Sequence, residues 1–358
     1  MKTHFIFAVC LLTPMSLAHA LSIQNVSHSP KYIDTTKNES VKIQYATDQK
    51  AQVTLRIFDD RDLLVKKISS KGSLAAGMHE FVWDGSDQTR QPVPAEAYRY
   101  TLVAESGKDK VEHDLSDMTG GYSVAVSQVT WDKASQTLQY SILKPARVSV
   151  RVGLKDNGPL MATLVDWQPK TFGTHTLRWN GMDNSGVVDV GKIGNYDIHA
   201  QAFALSENTI LVGPESGKIN LIQNMKWPEE KRVRKQKTAK QMKMHSQQYA
   251  EKRGDFVIEI MLPANLKKTA DGVPIVSSVT PVRFKLSLSD QLRIANDRYE
   301  PILFIDGKFQ TENEVGFFPM TWNWDPKDLA EGEHYLTVNL RGYEGHYGAA
   351  NVKVYVKH

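Results

Sequence analysis

Three histidines each follow a glycine by two positions: His79 after Gly77, His175 after Gly173 and His334 after Gly332. An imidazole can bind a metal or move a proton near neutral pH. Either role needs converging partners, yet these histidines come one at a time, the first two 96 positions apart. The plain reading is a structural His that holds the start of a strand. Asp84 and Asp87, with Asn180 and Asp183, offer oxygen ligands, but calcium takes roughly six to eight of them. Turn formation explains the same residues more simply. Asp59, Asp60 and Asp62 are denser, and sit where a hairpin tip with solvated charge is expected.

Four tryptophans invite a sugar-stacking reading: Trp83, Trp179, Trp322 and Trp324. Side chains two apart on a strand share a face, so Trp322 and Trp324 are both core or both surface. Core is the preferred reading. Exposure beside Phe317, Tyr343 or Tyr347 would instead make a platform for carbohydrate or peptide. Arg253-Gly254-Asp255 spells a cell-adhesion tripeptide, a match that arises often by chance. There is no Gly-x-Ser-x-Gly elbow, phosphate-binding glycine loop or His-Glu-x-x-His. No catalytic, cofactor-binding or metal-ligating residue is therefore assigned.

The elements that carry these residues are strands. Gly77 to Asp87 and Gly173 to Asp183 are nearly one line written twice, with His, then Phe or Leu, then Trp at every second position. That period puts all three on one face of a strand. Asp84-Gly85 and Asn180-Gly181 then accept the backbone angles of a turn. Gly77, His79, Trp83, Asp84 and Gly85, matched by Gly173, His175, Trp179, Asn180 and Gly181, form a structural repeat. Around it, Ser40–Tyr45, Gln52–Phe58 and Tyr98–Ala104 alternate polar and apolar residues, and Thr137–Ile142, Arg147–Val152 and Tyr196–Ala202 follow in matching order. Short strands, frequent turns and no convincing helix indicate antiparallel β-sandwiches.

The series Val53–Phe58, Leu64-Val65, Gly77 through Trp83-Asp84-Gly85 and Tyr98 resembles the immunoglobulin-like domain of flagellar hook-capping proteins. That resemblance implies a structural sandwich module and no particular chemistry. After Asp255 the combination Ile305-Asp306-Gly307, Trp324-Asp325 and Gly332–Val338 is similar to bacterial immunoglobulin-like surface modules, with Trp-Asp now ahead of the Gly-x-His strand. The expected fold class is all-β, three tandem immunoglobulin-like antiparallel sandwiches. Their expected spans are 21–107, 118–213 and 255–358.

Two further segments complete the expected organisation. Residues 1–20 read as a signal peptide: Lys2, an apolar Phe5–Leu12 and Ala18-His19-Ala20. The chain's one cysteine, Cys10, lies inside it, so no disulfide, metal thiolate or haem attachment is expected of the mature chain. Residues 214–254 read as a basic linker, helical or unstructured. Lys226 to Arg253 holds ten Lys or Arg against three Glu in a chain whose overall charge is +4. The positive charge is thus local, and a nucleic-acid surface is not indicated.

These readings exclude little except common catalytic motifs. They favour an exported, non-enzymatic interaction protein, periplasmic or on the bacterial cell surface, docking onto a protein partner in a secretion, filament or envelope assembly. Candidate partner-binding residues are Lys231, Arg232, Arg234, Lys235, Lys237, Trp322 and Trp324, the basic ones facing an acidic surface, lipid headgroup or polysaccharide. The rivals are a carbohydrate-binding or adhesin module and an accessory subunit of an envelope enzyme. No cofactor, nucleic acid or membrane span is expected.

Overall fold

A computed structural model describes residues 20–115, 122–213, 254–294, 299–314, 316, 318–342 and 346–358. Residues 1–19 of the expected signal peptide and residues 214–253 of the expected linker lie outside the described residues. The described chain is all-β, built as three pairs of sheets, each pair closed over its own apolar core. Among the described residues helix is confined to a 3-10 turn at Thr35–Lys37 and two short pieces at Val190–Ile193 and Leu288–Ile294. No helix among the described residues is long and apolar enough to cross a membrane.

In the first sandwich, β1 (Ile23–Ser29), β3 (Val41–Thr47) and β6 (Gly77–Trp83) form one sheet. The facing sheet runs β2 (Tyr32–Ile33), β16 (Thr209–Val212), β7 (Glu96–Ser106), β4 (Gln52–Phe58) and β5 (Leu64–Ser69), with β8 (Asp109–His113) also on β7. Alternation sorts the side chains: Val41, Ile43 and Tyr45 of β3 meet Val53, Leu55 and Ile57 of β4 in the core. The first nine residues of β7 are all buried, because its second face is covered too.

The second sandwich pairs β10 (Val126–Asp132), β11 (Thr137–Ile142) and β14 (Gly173–Arg178) with β13 (Leu160–Lys170), β12 (Ala146–Leu154), β15 (Tyr196–Ala204) and β9 (Ser123–Val124). The third pairs β17 (Ile258–Met261), β19 (Thr280–Leu286) and β22 (Met320–Trp324) with β18 (Ile275–Val276), β24 (Tyr347–Val356), β23 (Gly332–Gly342), β20 (Tyr299–Ile305) and β21 (Lys308–Glu312). Strand pairing is antiparallel except for two short parallel pairs, β16 with β2 and β18 with β24.

One placement differs from the sequence expectation. Thr209–Val212 falls within the span expected for the second sandwich, yet it hydrogen-bonds into the sheet of the first. In the third sandwich the edge strand of the three-stranded sheet, β22, ends in Trp324-Asp325. That is the place held by Trp83-Asp84 on β6 and Trp179-Asn180 after β14. Gly332 and His334 open β23 in the facing sheet. The Trp-Asp step therefore marks corresponding strands in all three sandwiches, while Gly-x-His recurs on a different one.

Candidate functional site

The recurring residues serve the backbone. Gly77, Gly173 and Gly332 have φ of +132°, +116° and +141°, angles that favour glycine. Two residues on, the imidazole Nε2 donates to a carbonyl four positions back: His79 to Ala75 at 2.8 Å, His175 to Thr171 at 2.8 Å and His334 to Ala330 at 2.9 Å. Each His thus pins the entry of its strand. Its register partner is also matched, Tyr45 opposite His79 and Tyr140 opposite His175. At His334 burial lowers the imidazole pKa, but bonds to the Asp306 carboxylate, 2.6 Å from Nδ1, and to Ala330 outweigh it, leaving it raised above 6.5.

The tryptophans are in the core and tie down the following turn. Trp83 is 1% exposed and Trp179 4%. Their indole N–H groups donate at 2.8 Å to the carbonyls of Ser86 and Met182, three residues later. Asp84 accepts from the Ser86 backbone N–H, and Asn180 likewise from Met182. Gly85 sits at φ +71°, where an added Cβ would lie 2.4 Å from Thr35 Cγ2. Gly85→Ala is therefore expected to lower stability by about 1–3 kcal/mol, read as a shifted urea midpoint. An unchanged midpoint would mean that Thr35 gives way freely.

The carboxylates are consumed in the same manner. Asp87 Oδ1 accepts from the N–H groups of Thr89 and Gln91, and Asp183 Oδ1 from those of Val187 and Val188. No group of three or more His, Cys, Asp or Glu among the described residues is arranged to hold a metal. The Asp59–Asp62 tip departs from the solvated charge expected of it. Asp59 is 4% exposed and accepts from the N–H groups of Arg61 and Leu63. Burial pushes its carboxyl above the usual range in spite of those bonds. Asp62 turns to Arg99, whose buried guanidinium also takes Asp114, at 3.0 and 2.9 Å.

Of the candidate partner-binding residues, Lys231, Arg232, Arg234, Lys235 and Lys237 lie outside the described residues. Trp324 is 3% exposed in the core of the third sandwich, and Trp322 packs half-buried on that core, its ring centroid 6.3 Å from that of Trp324. The two do not make an open stacking platform, because Trp324 turns into the core where β22 ends. The Asp of the adhesion tripeptide is engaged as well: Asp255 accepts from Arg151 at 2.9 Å and Thr163 Oγ1 at 2.5 Å.

What sequence reasoning missed are the polar joints between sandwiches. At the first joint Arg147 of β12 meets Glu96 of β7 at 2.9 Å, both side chains fully buried. Glu96 also accepts from the Ala97 N–H at 2.7 Å. Beside them Ala97, Leu205 and Leu211 make a small apolar cluster with Tyr32. At the second joint Arg151 binds Asp255 at 2.9 Å and Asp166 at 3.5 Å, and lies 4.6 Å from the Tyr347 ring centre. Asn339 accepts from the Leu160 N–H at 2.7 Å and donates to its carbonyl at 2.8 Å. It thus caps the edge strand β13 as a neighbouring strand would. Asn351 donates to Asp183 at 2.8 Å, and its own N–H reaches Ser185 Oγ at 2.9 Å. The one sequence signal at the first joint was an Arg set among small and apolar residues on a strand, Arg147 near the start of β12.

The first sandwich decides the comparison with known proteins. Residues 29–108 match the family model of the FlgD Ig-like domain. The match runs from the end of β1 to the turn before β8 and ends a hundred residues short of β16. No curated protein matches the chain. Among solved structures, one of a 1.5-MDa bacterial ice-binding adhesin is similar over 95% of this chain and 99% of its own, at 13% identity and TM-score 0.20. The central fibronectin-III array of RIM-binding protein is similar over 90% and 93%, at 11% identity and TM-score 0.18. PorU from Porphyromonas gingivalis is similar over 94% of this chain and 34% of its own, at 11% and 0.21. Likenesses this low carry no argument about function. The first sandwich supplies Glu96 to the first joint and, in β7, the strand on which β16 is laid.

Proposed function

We infer that this is an exported, non-enzymatic interaction protein whose three sandwiches, joined in series, hold loops and sheet edges at fixed spacing. They would dock onto a protein partner in a periplasmic or cell-surface assembly. The observation that carries this reading is the pair of joints closed by polar bonds, the fully buried Arg147 to Glu96 and the part-buried Arg151 to Asp255. Such contacts oppose bending between neighbours, which serves positioning and contributes no chemistry. Edge strands offer unpaired backbone groups to a partner strand. β6 is one such edge and shows Met78 and Val82, 58% and 48% exposed; β21 is another and shows Phe309, 55% exposed. The basic residues Lys231, Arg232, Arg234, Lys235 and Lys237 would add a salt-sensitive attraction to an acidic face of that partner.

Affinity capture from the native cell envelope at low and high salt, followed by mass spectrometry, tests this. The expected result is one defined protein complex, weakened in high salt and by replacing the five basic residues with Gln. Recovery of glycan alone, or of nothing, would contradict a protein-docking role. Capture indifferent to both salt and the Gln replacements would remove the basic segment from it.

A further inference from the structure

The strand β16 reaches the first sandwich from beyond the second. In that sandwich it takes the place between β2 and the first half of β7, pairing parallel with Tyr32-Ile33 and antiparallel with Glu96–Arg99. The second and third sandwiches fill the comparable places with β9, antiparallel to β15, and β24, antiparallel to β23 and parallel to β18, each from within or just before its own module. All four residues of β16 are buried. Ile210 and Val212 enter the core of the first sandwich, while Leu211 faces Ala97 and Leu205 on the other side.

The ends of this segment are held by specific bonds. The Tyr100 N–H donates to the Asn208 carbonyl at 3.0 Å, and the Asn208 side-chain amide donates to the Tyr100 carbonyl at 2.6 Å. Leu211 N–H bonds the Lys31 carbonyl and Gly213 N–H the Ile33 carbonyl, both at 3.0 Å. Gly213 has φ +126°, and a Cβ there would sit 2.3 Å from that of Ala95. A polar residue that reads the β7 backbone, an apolar face at alternate positions and an obligatory glycine are the elements of a peptide-recognition site.

We propose that the gap between β2 and β7 is a β-strand-binding site, selective for an extended segment of the form Asn-Thr-Ile-Leu-Val-Gly and occupied by the chain's own Asn208–Gly213. The FlgD-type sandwich is then complete only when the second sandwich has delivered its trailing strand. The same site takes an identical segment in trans once the resident strand is removed. This stands apart from the docking role above, since it concerns a strand inside the fold and not an exposed edge.

The test uses the full chain with Thr209–Val212 replaced by Gly-Ser-Gly-Ser. A synthetic peptide of Ser206 to Gly213 is expected to bind this variant one to one and to restore amide protection through β7 and β4. The same peptide carrying Ile210→Asp should not bind, and neither peptide should bind the unaltered chain. Wild-type protection in the variant without peptide, or no binding while the third sandwich remains protected, would overturn the site. Should the variant fail to fold at all, hydrogen exchange on the unaltered chain decides. The site requires Leu211 and Gly213 amides to exchange with those of β4 in one opening. Fast independent exchange of β16 above a protected β4 would overturn it.

Discussion

Arg147→Ala is expected to destabilise the first two sandwiches by about 3–5 kcal/mol, because it strands the buried carboxylate of Glu96 without a counter-charge. Both side chains of the pair have no exposed surface, so water cannot replace the lost partner. Removing one ion costs far more than the pair contributes, and the converse follows. Arg147→Met combined with Glu96→Gln should recover much of the loss, since Gln still accepts from the Ala97 N–H and no net charge remains buried. Urea unfolding followed in both sandwiches makes the comparison. A cost under about 1 kcal/mol for Arg147→Ala would show that the bridge behaves as a solvated surface pair.

Acid is expected to weaken the first sandwich through His28. This side chain is 6% exposed, with Nδ1 3.2 Å from the Tyr100 hydroxyl and 3.4 Å from Lys31 Nζ. Burial, and then the charge of Lys31, lower its pKa from 6.5 to about 3. The fold therefore holds the neutral imidazole, and the unfolded chain binds the extra proton between those values. The contribution is fully present above pH 6.5 and is lost as pH falls from there toward 3. Between pH 6.5 and 4.5 the loss amounts to about 2–3 kcal/mol. His28→Asn keeps an acceptor near Tyr100 and cannot titrate. Its unfolding free energy should fall less steeply over this interval, whatever its value at pH 7. Equal slopes for variant and wild type would assign the acid sensitivity elsewhere.

What the sequence disclosed and what it concealed divide by range. Gly77, His79, Trp83 and Gly85 act within a few residues of themselves, through a positive φ, a carbonyl four back and a carbonyl three ahead. Local backbone demands of this kind leave the same imprint wherever they occur, which is why the second copy could be matched. The same locality lets the motif recur on a different strand of the third sandwich. Gly-x-His pins any strand entry, so Gly332 and His334 mark β23, while Trp324-Asp325 marks the true counterpart of β6.

The joints were illegible for the opposite reason. Glu96 and Arg147 stand 51 positions apart on strands that each read as ordinary. Asn339 and Leu160 are 179 apart. Four residues of β16 carry apolar character enough for a strand, but nothing in them names the sheet they join. Arg99 and Arg151 are paired ions under a covering of protein, Arg99 buried and Arg151 part-buried, and neither partner is near in sequence.

Distances between spin labels on neighbouring sandwiches test the claim that the joints fix their spacing. Cysteines would replace Glu80, Thr176 and Glu259, exposed positions on the first, second and third, with Cys10 changed to Ser. Electron–electron double resonance should return one narrow distance distribution for 80 with 176 and one for 176 with 259. Arg151→Ala should broaden the second and leave the first unchanged. Broad distributions in the unaltered chain would contradict the account, for the sandwiches would then be linked as beads and not held as a spaced array.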